Sequence, residues 1–286
     1  MISDNQTNKI FFSDLLRTES RYSQTCGQIT KILDSSKVQY DFLPKTKDIW
    51  ARDYMPIQVT ENKFIEYRYD PDYLQGTEET EGEKTREVKT YPDMVCDAIN
   101  LKTIKTDIIL DGGNVIKSKN CVILTDKILI ENCFWYKDKN KLLKQLEELF
   151  EVEHVVLIQW PQEEDFGHSD GMLRFIDEKT VLINEVEKLP SIEKRLKEHG
   201  LNWEYLRFNV KKENENNWAY INFLQIKDLI ILPKLNIEED EQAMSQIQMY
   251  YPEYAERNRI VQVDATEIVK GEGAFNCISW TIKSNQ

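Results

Sequence analysis

The sequence is poor in glycine, proline, histidine and positive charge. Its 286 residues include 10 Gly, 8 Pro and 3 His, and 50 acidic residues against 37 basic ones give a formal net charge of −13. With 41% hydrophobic and 30% charged residues, the composition is that of a globular protein rather than a disordered or collagen-like one. So acidic a chain is a poor match for nucleic-acid phosphates, and we expect no nucleic-acid partner.

Long apolar runs and paired cysteines are also missing. The apolar runs are too short to span a bilayer, and the first residues lack the pattern of a secretory signal, so we expect no membrane partner. The cysteines are odd in number and form no CxxC pair: Cys26, Cys96, Cys121, Cys133 and Cys277. This usage argues against a disulfide framework and a zinc cage and is typical of a cytoplasmic protein.

A unit of about 56 residues recurs along the chain. Each copy begins with a polar loop and continues as two apolar strands around a polar turn, followed by a helix-like stretch and a further strand. Five positions mark this unit, and successive ones lie 58, 57, 54 and 55 residues apart. They are Asp53, Asp111, His168, Asn222 and Cys277. Repeats of this length predict an α/β propeller of five blades, and five copies predict a single domain over residues 1–286. Three helices are expected at Lys139–Phe150, Ser191–His199 and Glu238–Met249.

If the units circle an axis, these marker residues meet at one end of it, and Asp170 joins them through the segment GHSDG (167–171). A cysteine becomes a nucleophile as its thiolate, which a nearby imidazolium stabilises. Two carboxylates would oppose that ionisation unless the substrate brings a positive charge. A guanidinium pairs with carboxylates through parallel hydrogen bonds, so the set favours chemistry on a cationic guanidino substrate.

Two other chemistries fit the same segment less well. GHSDG matches the G-x-S-x-G pattern of serine hydrolases through Ser169, but that pattern needs a strand before the serine and a helix after it. Here the strand-like MLRFI follows. A metal site on His168 and Asp170 lacks a partner histidine or cysteine pair at ligand spacing, so no metal is expected.

The motifs resemble the agmatine deiminase and bacterial peptidylarginine deiminase families of the guanidine-modifying superfamily. The resemblance rests on WARD (50–53), DGGN (111–114), GHSDG, and the glycine-rich loop that ends at Cys277, with YINF (220–223) and LPKL (232–235) as a fifth block. It covers about residues 48 to 281. It implies the pentein fold, a pseudo-fivefold α/β propeller, and hydrolysis of agmatine to N-carbamoylputrescine and ammonia without a cofactor.

The resemblance also implies a role for each site residue. Cys277 would attack the guanidinium carbon and His168 would act as acid and base, while Asp53 and Asp170 would bind the guanidinium nitrogens. Asp111, Trp50 and Asn114 would complete the substrate site, and Trp280 is a second aromatic residue suited to its wall. The resemblance is compatible with a homodimer.

The chain departs from the family pattern at two positions. Asp111 stands where the family usually has Glu, and Asn276 stands where it usually has His before the cysteine. Four alternatives therefore stay open beside agmatine deimination: deimination of peptidyl arginine, deimination of free arginine, amidino transfer to an amine, and a pseudoenzyme that only binds guanidino compounds.

Overall fold

The computed structural model describes residues 1–75, 87–160, 166–185 and 190–285. Within these ranges, fifteen strands form five sheets of three strands. In chain order they are β1 (Lys9–Ser13), β2 (Gln39–Leu43), β3 (Ile57–Thr60), β4 (Lys63–Arg68), β5 (Ile104–Ile109), β6 (Ile116–Lys117), β7 (Cys121–Thr125), β8 (His154–Ile158), β9 (Leu173–Phe175), β10 (Thr180–Asn184), β11 (Asn202–Leu206), β12 (Leu224–Ile226), β13 (Leu229–Lys234), β14 (Ile260–Asp264) and β15 (Ser279–Ile282).

The helices of the same ranges connect or flank these strands. They are α1 (Leu15–Thr18), α2 (Ser23–Ser36), α3 (Ala51–Tyr54), α4 (Pro92–Ala98), α5 (Lys127–Glu131), α6 (Lys139–Phe150), α7 (Pro190–Glu198), α8 (Glu239–Tyr250), α9 (Pro252–Ala255) and α10 (Thr266–Val269). The three helices predicted from sequence are confirmed as α6, α7 and α8, with ends that agree within one residue.

All five sheets share one pattern. The middle strand pairs antiparallel with one neighbour, as in the hairpin of β3 and β4, and parallel with the other, which follows a helix, as β5 follows α4. The sheet orders are β15-β1-β2, β3-β4-β5, β6-β7-β8, β9-β10-β11 and β12-β13-β14. The predicted five-bladed α/β propeller is confirmed.

The fifth blade is assembled from both ends of the described chain. Strand β15 follows Cys277 and pairs antiparallel with β1, with Phe11 opposite Trp280. Strand β1 then pairs parallel with β2. The last repeat detected in the sequence is therefore completed by residues 9–43, which carry no marker residue of their own.

Helices cover the sheets because their apolar residues recur on one face. In α6, Leu142, Leu146 and Phe150 are buried, at the spacing that places side chains above one another on a helix. Its first turn is capped by Asp138, whose side chain accepts a hydrogen bond from the Asn140 N–H. In the described residues, no helix is long and apolar enough to cross a membrane.

This architecture positions the predicted site. Each of three predicted site residues lies a few positions before a strand. Asp53 precedes β3, Asp170 precedes β9 and Cys277 precedes β15. Each of these residues lies in a short helical turn or tight turn at the same end of its blade. Side chains from separate units thereby meet at one end of the propeller.

Candidate active site

A cavity of about 510 Å³ lies at this end of the propeller. Among the predicted site residues, those that line it are Trp50, Asp53, His168, Asp170 and Cys277. The described part of its wall also contains aromatic and acidic side chains, namely Asp48, Tyr69, Tyr73, Phe166, Trp218 and Glu272. No lysine or arginine belongs to this described lining.

Cys277 is held at its backbone and at its sulfur. The Asn222 side-chain oxygen accepts hydrogen bonds from the backbone N–H groups of Asn276 (3.2 Å) and Cys277 (3.3 Å). The Cys277 sulfur lies 3.3 Å from this same oxygen and 3.5 Å from Asp170 Oδ2. The thiol is therefore surrounded by acceptors that stabilise its protonated form.

The electrostatics of Cys277 follow from that environment. Burial, and after it the charges of Asp170 and Asp53, raise the pKa of the Cys277 thiol well above its usual range. A cation bound between these carboxylates would offset their charge and favour the thiolate.

His168 contacts carboxylates on two sides. Its Nε2 lies 3.1 Å from Asp111 Oδ2, and its Nδ1 lies 3.7 Å from Asp53 Oδ1. Burial alone would lower the pKa of His168, but Asp53 and the hydrogen bond to Asp111 outweigh it and raise that pKa to about 9. His168 is therefore an imidazolium near neutral pH, the form that can donate a proton to a leaving group.

Asp53 sits in the short helix α3, with its backbone fixed from both sides. Its N–H donates to Trp50 O (3.0 Å), and its carbonyl accepts from the Tyr67 hydroxyl (2.6 Å). Burial raises the pKa of Asp53 to about 8; the charge of His168 opposes this rise, whereas Asp170 adds to it. The Asp53 carboxyl of the free protein thus takes up a proton more readily than an ordinary aspartate does.

The double glycine of DGGN allows the turn at 112–114 to approach Asp53 and His168. The Gly113 N–H donates to Asp53 Oδ1 at 3.1 Å. A Cβ at Gly113 would lie 2.5 Å from that oxygen and 2.6 Å from His168 Nδ1, closer than real Cβ contacts. Glycine is required here by close packing.

Two predicted substrate contacts lie elsewhere. Asp111 bonds to His168 through Oδ2 and is outside the described cavity lining, so the structure places its carboxylate against the histidine, and its contact with a substrate stays a prediction. Asn114 is also outside this lining, because its Oδ1 accepts the Thr125 N–H at 2.8 Å and so braces the turn against β7. Trp280 packs against Phe11 in the core and does not line the cavity.

The serine and metal interpretations lose support. Ser169 is fully buried, its hydroxyl is directed at the Ile123 carbonyl at 3.5 Å, and a strand rather than a long helix follows it. Among the described residues, no group of three His, Cys, Asp or Glu side chains is arranged to hold a metal ion.

Two residues near the nucleophile have roles that the sequence left unassigned. Asn222 was found as a repeat marker and within YINF, without a role, and the structure places its amide against Cys277. Asn276, at the position of the usual family histidine, donates from Nδ2 to Asp170 Oδ2 at 2.7 Å. The repeat spacing and the YINF block were the sequence signals for Asn222, and Asn276 was visible only as a departure from the family.

Comparison with known proteins agrees with this fold and site. The sequence model of the Porphyromonas-type peptidyl-arginine deiminase family matches residues 2–282. This chain therefore belongs to that family. A solved structure of C. jejuni agmatine deiminase, 18% identical, superposes with a TM-score of 0.74 over 100% of this chain and 96% of its own, and thereby shows the same pentein fold.

Two curated relatives align with this chain over part of their length. A Lactococcus lactis protein described as "Putative agmatine deiminase" is 24% identical over 65% of this chain and 60% of its own length. An Enterococcus faecalis protein of the same description is 23% identical over the same shares. The chain spans about 60% of the length of the curated relatives it matches.

Proposed function

We propose that this protein is a hydrolase that deiminates a small guanidino compound, with agmatine as its substrate. The proposal rests on one observation above others. Cys277 faces a cavity whose described lining contains carboxylates and a histidine but no lysine or arginine. The family match and the description of the relatives as agmatine deiminases support the same chemistry.

The proposed reaction uses the charge state of the free site. A guanidinium pairs with Asp53 and Asp170, and its charge favours loss of the Cys277 proton. The thiolate attacks the guanidinium carbon, forming a C–S bond. The His168 imidazolium then protonates one nitrogen, and the C–N bond breaks to release ammonia.

The second half of the reaction reverses the role of His168. The covalent thiouronium on Cys277 is attacked by water, which transfers a proton to the now neutral imidazole. A C–O bond forms, the C–S bond breaks, and the ureido product leaves. The second proton of the water passes to the Cys277 sulfur, and the proton that Cys277 first lost to solvent is taken up by the released ammonia. Guanidinium plus water thereby gives the urea and ammonium, and both Cys277 and His168 return to their starting states.

The substrate's tail is selected by charge. Besides Asp53 and Asp170, the described lining carries Asp48 and Glu272. Asp48 is partly buried, and the resulting desolvation raises its pKa to about 6 and leaves it mainly ionised at pH 7. The ammonium tail of agmatine suits such a wall, whereas the carboxylate of free arginine meets like charge, which costs several kcal/mol.

The test is a comparison of kcat/KM for agmatine, L-arginine and Nα-acetyl-arginine amide, with ammonia release as the readout. We expect agmatine to exceed L-arginine by about 100-fold, which corresponds to roughly 2.7 kcal/mol. Preference for the acetylated amide would indicate a peptidyl-arginine deiminase. Ornithine-dependent product would indicate amidino transfer, and binding without turnover would contradict the enzyme proposal.

The location of the protein and its assembly stay predictions. A cytoplasmic site and a homodimer were expected from the sequence and the family resemblance. Fractionation and light scattering would test them.

A further inference from the structure

A cluster of charged side chains lies outside the described lining of the cavity. Asp4, in a short turn that packs against β12, is surrounded by three cations. Its carboxylate lies 3.0 Å from Arg174, 3.4 Å from Lys117 and 3.8 Å from Arg52. The side chains of all three cations are less than 10% exposed, and Asp4 is 19% exposed.

One of these cations holds the backbone of the nucleophile. Arg52 immediately precedes Asp53 in α3. Its Nε donates to the Asn276 carbonyl at 3.3 Å, and its backbone N–H donates to the Cys277 carbonyl at 3.0 Å. Movement of the Arg52 guanidinium would therefore act directly on the peptide unit before Cys277, while the Arg52 backbone holds the peptide unit after it.

A second cation holds the residue next to Asn222. The Arg174 guanidinium donates to the Phe223 carbonyl and lies over the Phe223 ring, 4.1 Å from its centroid. Asn222 accepts from the N–H of Cys277, so the same loop supports the nucleophile from its other side. Through Arg52 and Arg174, one carboxylate is linked to both loops that contact Cys277.

The Asp4 carboxylate is needed because the three cations around it carry the same charge and are buried close together. Burial alone would raise the pKa of Asp4, but Lys117, Arg52 and Arg174 outweigh it and lower that pKa to about 2. Without the negative charge, the three cations would repel one another at low dielectric. They would separate or draw in water, and the hydrogen bonds of Arg52 and Arg174 would loosen.

We propose that Asp4 is a positioning residue that fixes the backbone around Cys277 through Arg52 and Arg174. This inference deepens the proposed function and rests on Cys277 being the nucleophile. It assigns to residues 3–6, far from Cys277 in sequence, a part in the geometry of the reaction.

The first experiment compares Asp4→Asn with Asp14→Asn, a matched loss of charge at an exposed pair with Arg17. We expect Asp4→Asn to lower kcat for agmatine by 10- to 100-fold well below its melting temperature, with KM changed less than threefold. Asp14→Asn should leave both unchanged. An unchanged kcat in Asp4→Asn, or an equal loss in both variants, would overturn the inference.

A second variant separates positioning from general damage. Asp4→Ala leaves room for a small carboxylate beside an existing cavity of about 30 Å³ that Asp4 and Arg174 help to line. We expect added formate, but not equal chloride, to restore at least a third of the lost kcat. Absence of any formate-specific recovery would contradict the electrostatic basis of the inference.

Hydrogen exchange keeps this test independent of turnover. In Asp4→Asn, we expect the peptide that carries the Asn276 and Cys277 amides to exchange at least tenfold faster, while the β7 peptide is unchanged. If the wild type turns over no guanidino compound, the proposed function fails on its own. If exchange around Cys277 is the same in wild type and Asp4→Asn, the positioning inference fails whether or not the enzyme is active.

Discussion

At the scale of single residues, Cys277 is the proposed nucleophile, and its own surroundings keep it protonated. Its raised pKa has burial as the first cause and the charges of Asp170 and Asp53 as the next. We expect a thiol in this position to react readily only with a reagent that supplies positive charge. In the proposed mechanism, selectivity for cations therefore comes from the ionisation of Cys277 as well as from the carboxylates that line the cavity.

We predict that Cys277 discriminates between alkylating reagents by charge. Relative to a small free thiol, 2-chloroacetamidine, a cation, should alkylate Cys277 at least tenfold faster than neutral iodoacetamide does. The exposed Cys133 should show no such preference and serves as an internal control. Peptide mass spectrometry measures both rates in one sample, and equal normalised rates at Cys277 would contradict the prediction.

Asp53 provides a second prediction, through the proton it holds in the free protein. Its pKa of about 8 must fall when a guanidinium binds beside it, so binding at pH 7 should release close to one proton. Because a proton is released, affinity should increase as pH rises and level off above about pH 8. His168, with its pKa of about 9, keeps its proton at pH 7.

The measurement is calorimetry of agmatine binding in buffers of different ionisation enthalpy. A Cys277→Ala background prevents turnover. Adding Asp53→Asn should abolish the proton release and weaken binding by about 100-fold, or roughly 2.7 kcal/mol. Proton release that persists without Asp53 would assign it to another group.

The sequence predicted the meeting of Cys277, His168, Asp53 and Asp170 because each occupies an equivalent place in its repeat. It also brought Asp111 to His168. The substrate contacts expected of Asp111 and Asn114 stay predictions, because a repeat position does not reveal whether a side chain turns toward the cavity or a neighbouring turn. The contact between Asp4 and Arg174 had no sequence signal, since it joins residues 170 positions apart at unrelated places in their units.

At the scale of elements, the helices were predictable because their apolar residues follow the helical period, and α6 begins and ends where the pattern does. The fifth blade was only partly predictable. Its strand β15 continues the repeat, but its other strands β1 and β2 come from a segment without a marker residue. Local periodicity identifies an element, whereas its partner in a sheet depends on closure of the ring.

The turn at 112–114 gives a prediction at this scale. Gly113→Ala should reduce kcat/KM for agmatine by about 100-fold, because its Cβ would displace Asp53 and His168, and misplacement of about 1 Å can cost that much. Steady-state kinetics with circular dichroism would show loss of activity in a folded protein.

The control for Gly113 is Gly27 in α2, where an added Cβ meets nothing within 4 Å. Gly27→Ala should leave kinetics unchanged and stabilise the protein by about 0.5 to 1 kcal/mol, because glycine is the costlier residue inside a helix. Full activity of Gly113→Ala would show that the turn can move away from both side chains.

At the scale of the whole molecule, one cluster of charged side chains joins elements from different blades. Its members come from the turn at residues 4–6, α3, β6 and β9. A buried cluster of this kind is costly to break, because removing one partner leaves uncompensated charge. That residues 1–286 form a single domain stays a prediction, and a single cooperative unfolding transition would support it.

Acid unfolding tests the cluster in the intact molecule. Asp4 has a lowered pKa, so its carboxylate stabilises the fold above the ordinary value near 3.8 and loses this effect as pH falls to about 2. Asp4→Asn should therefore reduce the free energy of unfolding at pH 7 by about 2 to 3 kcal/mol. The difference from wild type should shrink between pH 4 and pH 2, because wild-type Asp4 then becomes neutral as well.

Urea denaturation at pH 7, 5, 4, 3 and 2.5 measures this difference, with Asp14→Asn as the control. Its exposed pair with Arg17 should contribute no more than about 1 kcal/mol at any pH. If the free energy of unfolding of Asp4→Asn stayed below that of wild type by the same amount down to pH 2.5, asparagine would fit the site poorly for reasons of shape. If this difference disappears as the pH falls, the carboxylate charge itself holds Arg52, Lys117 and Arg174 together.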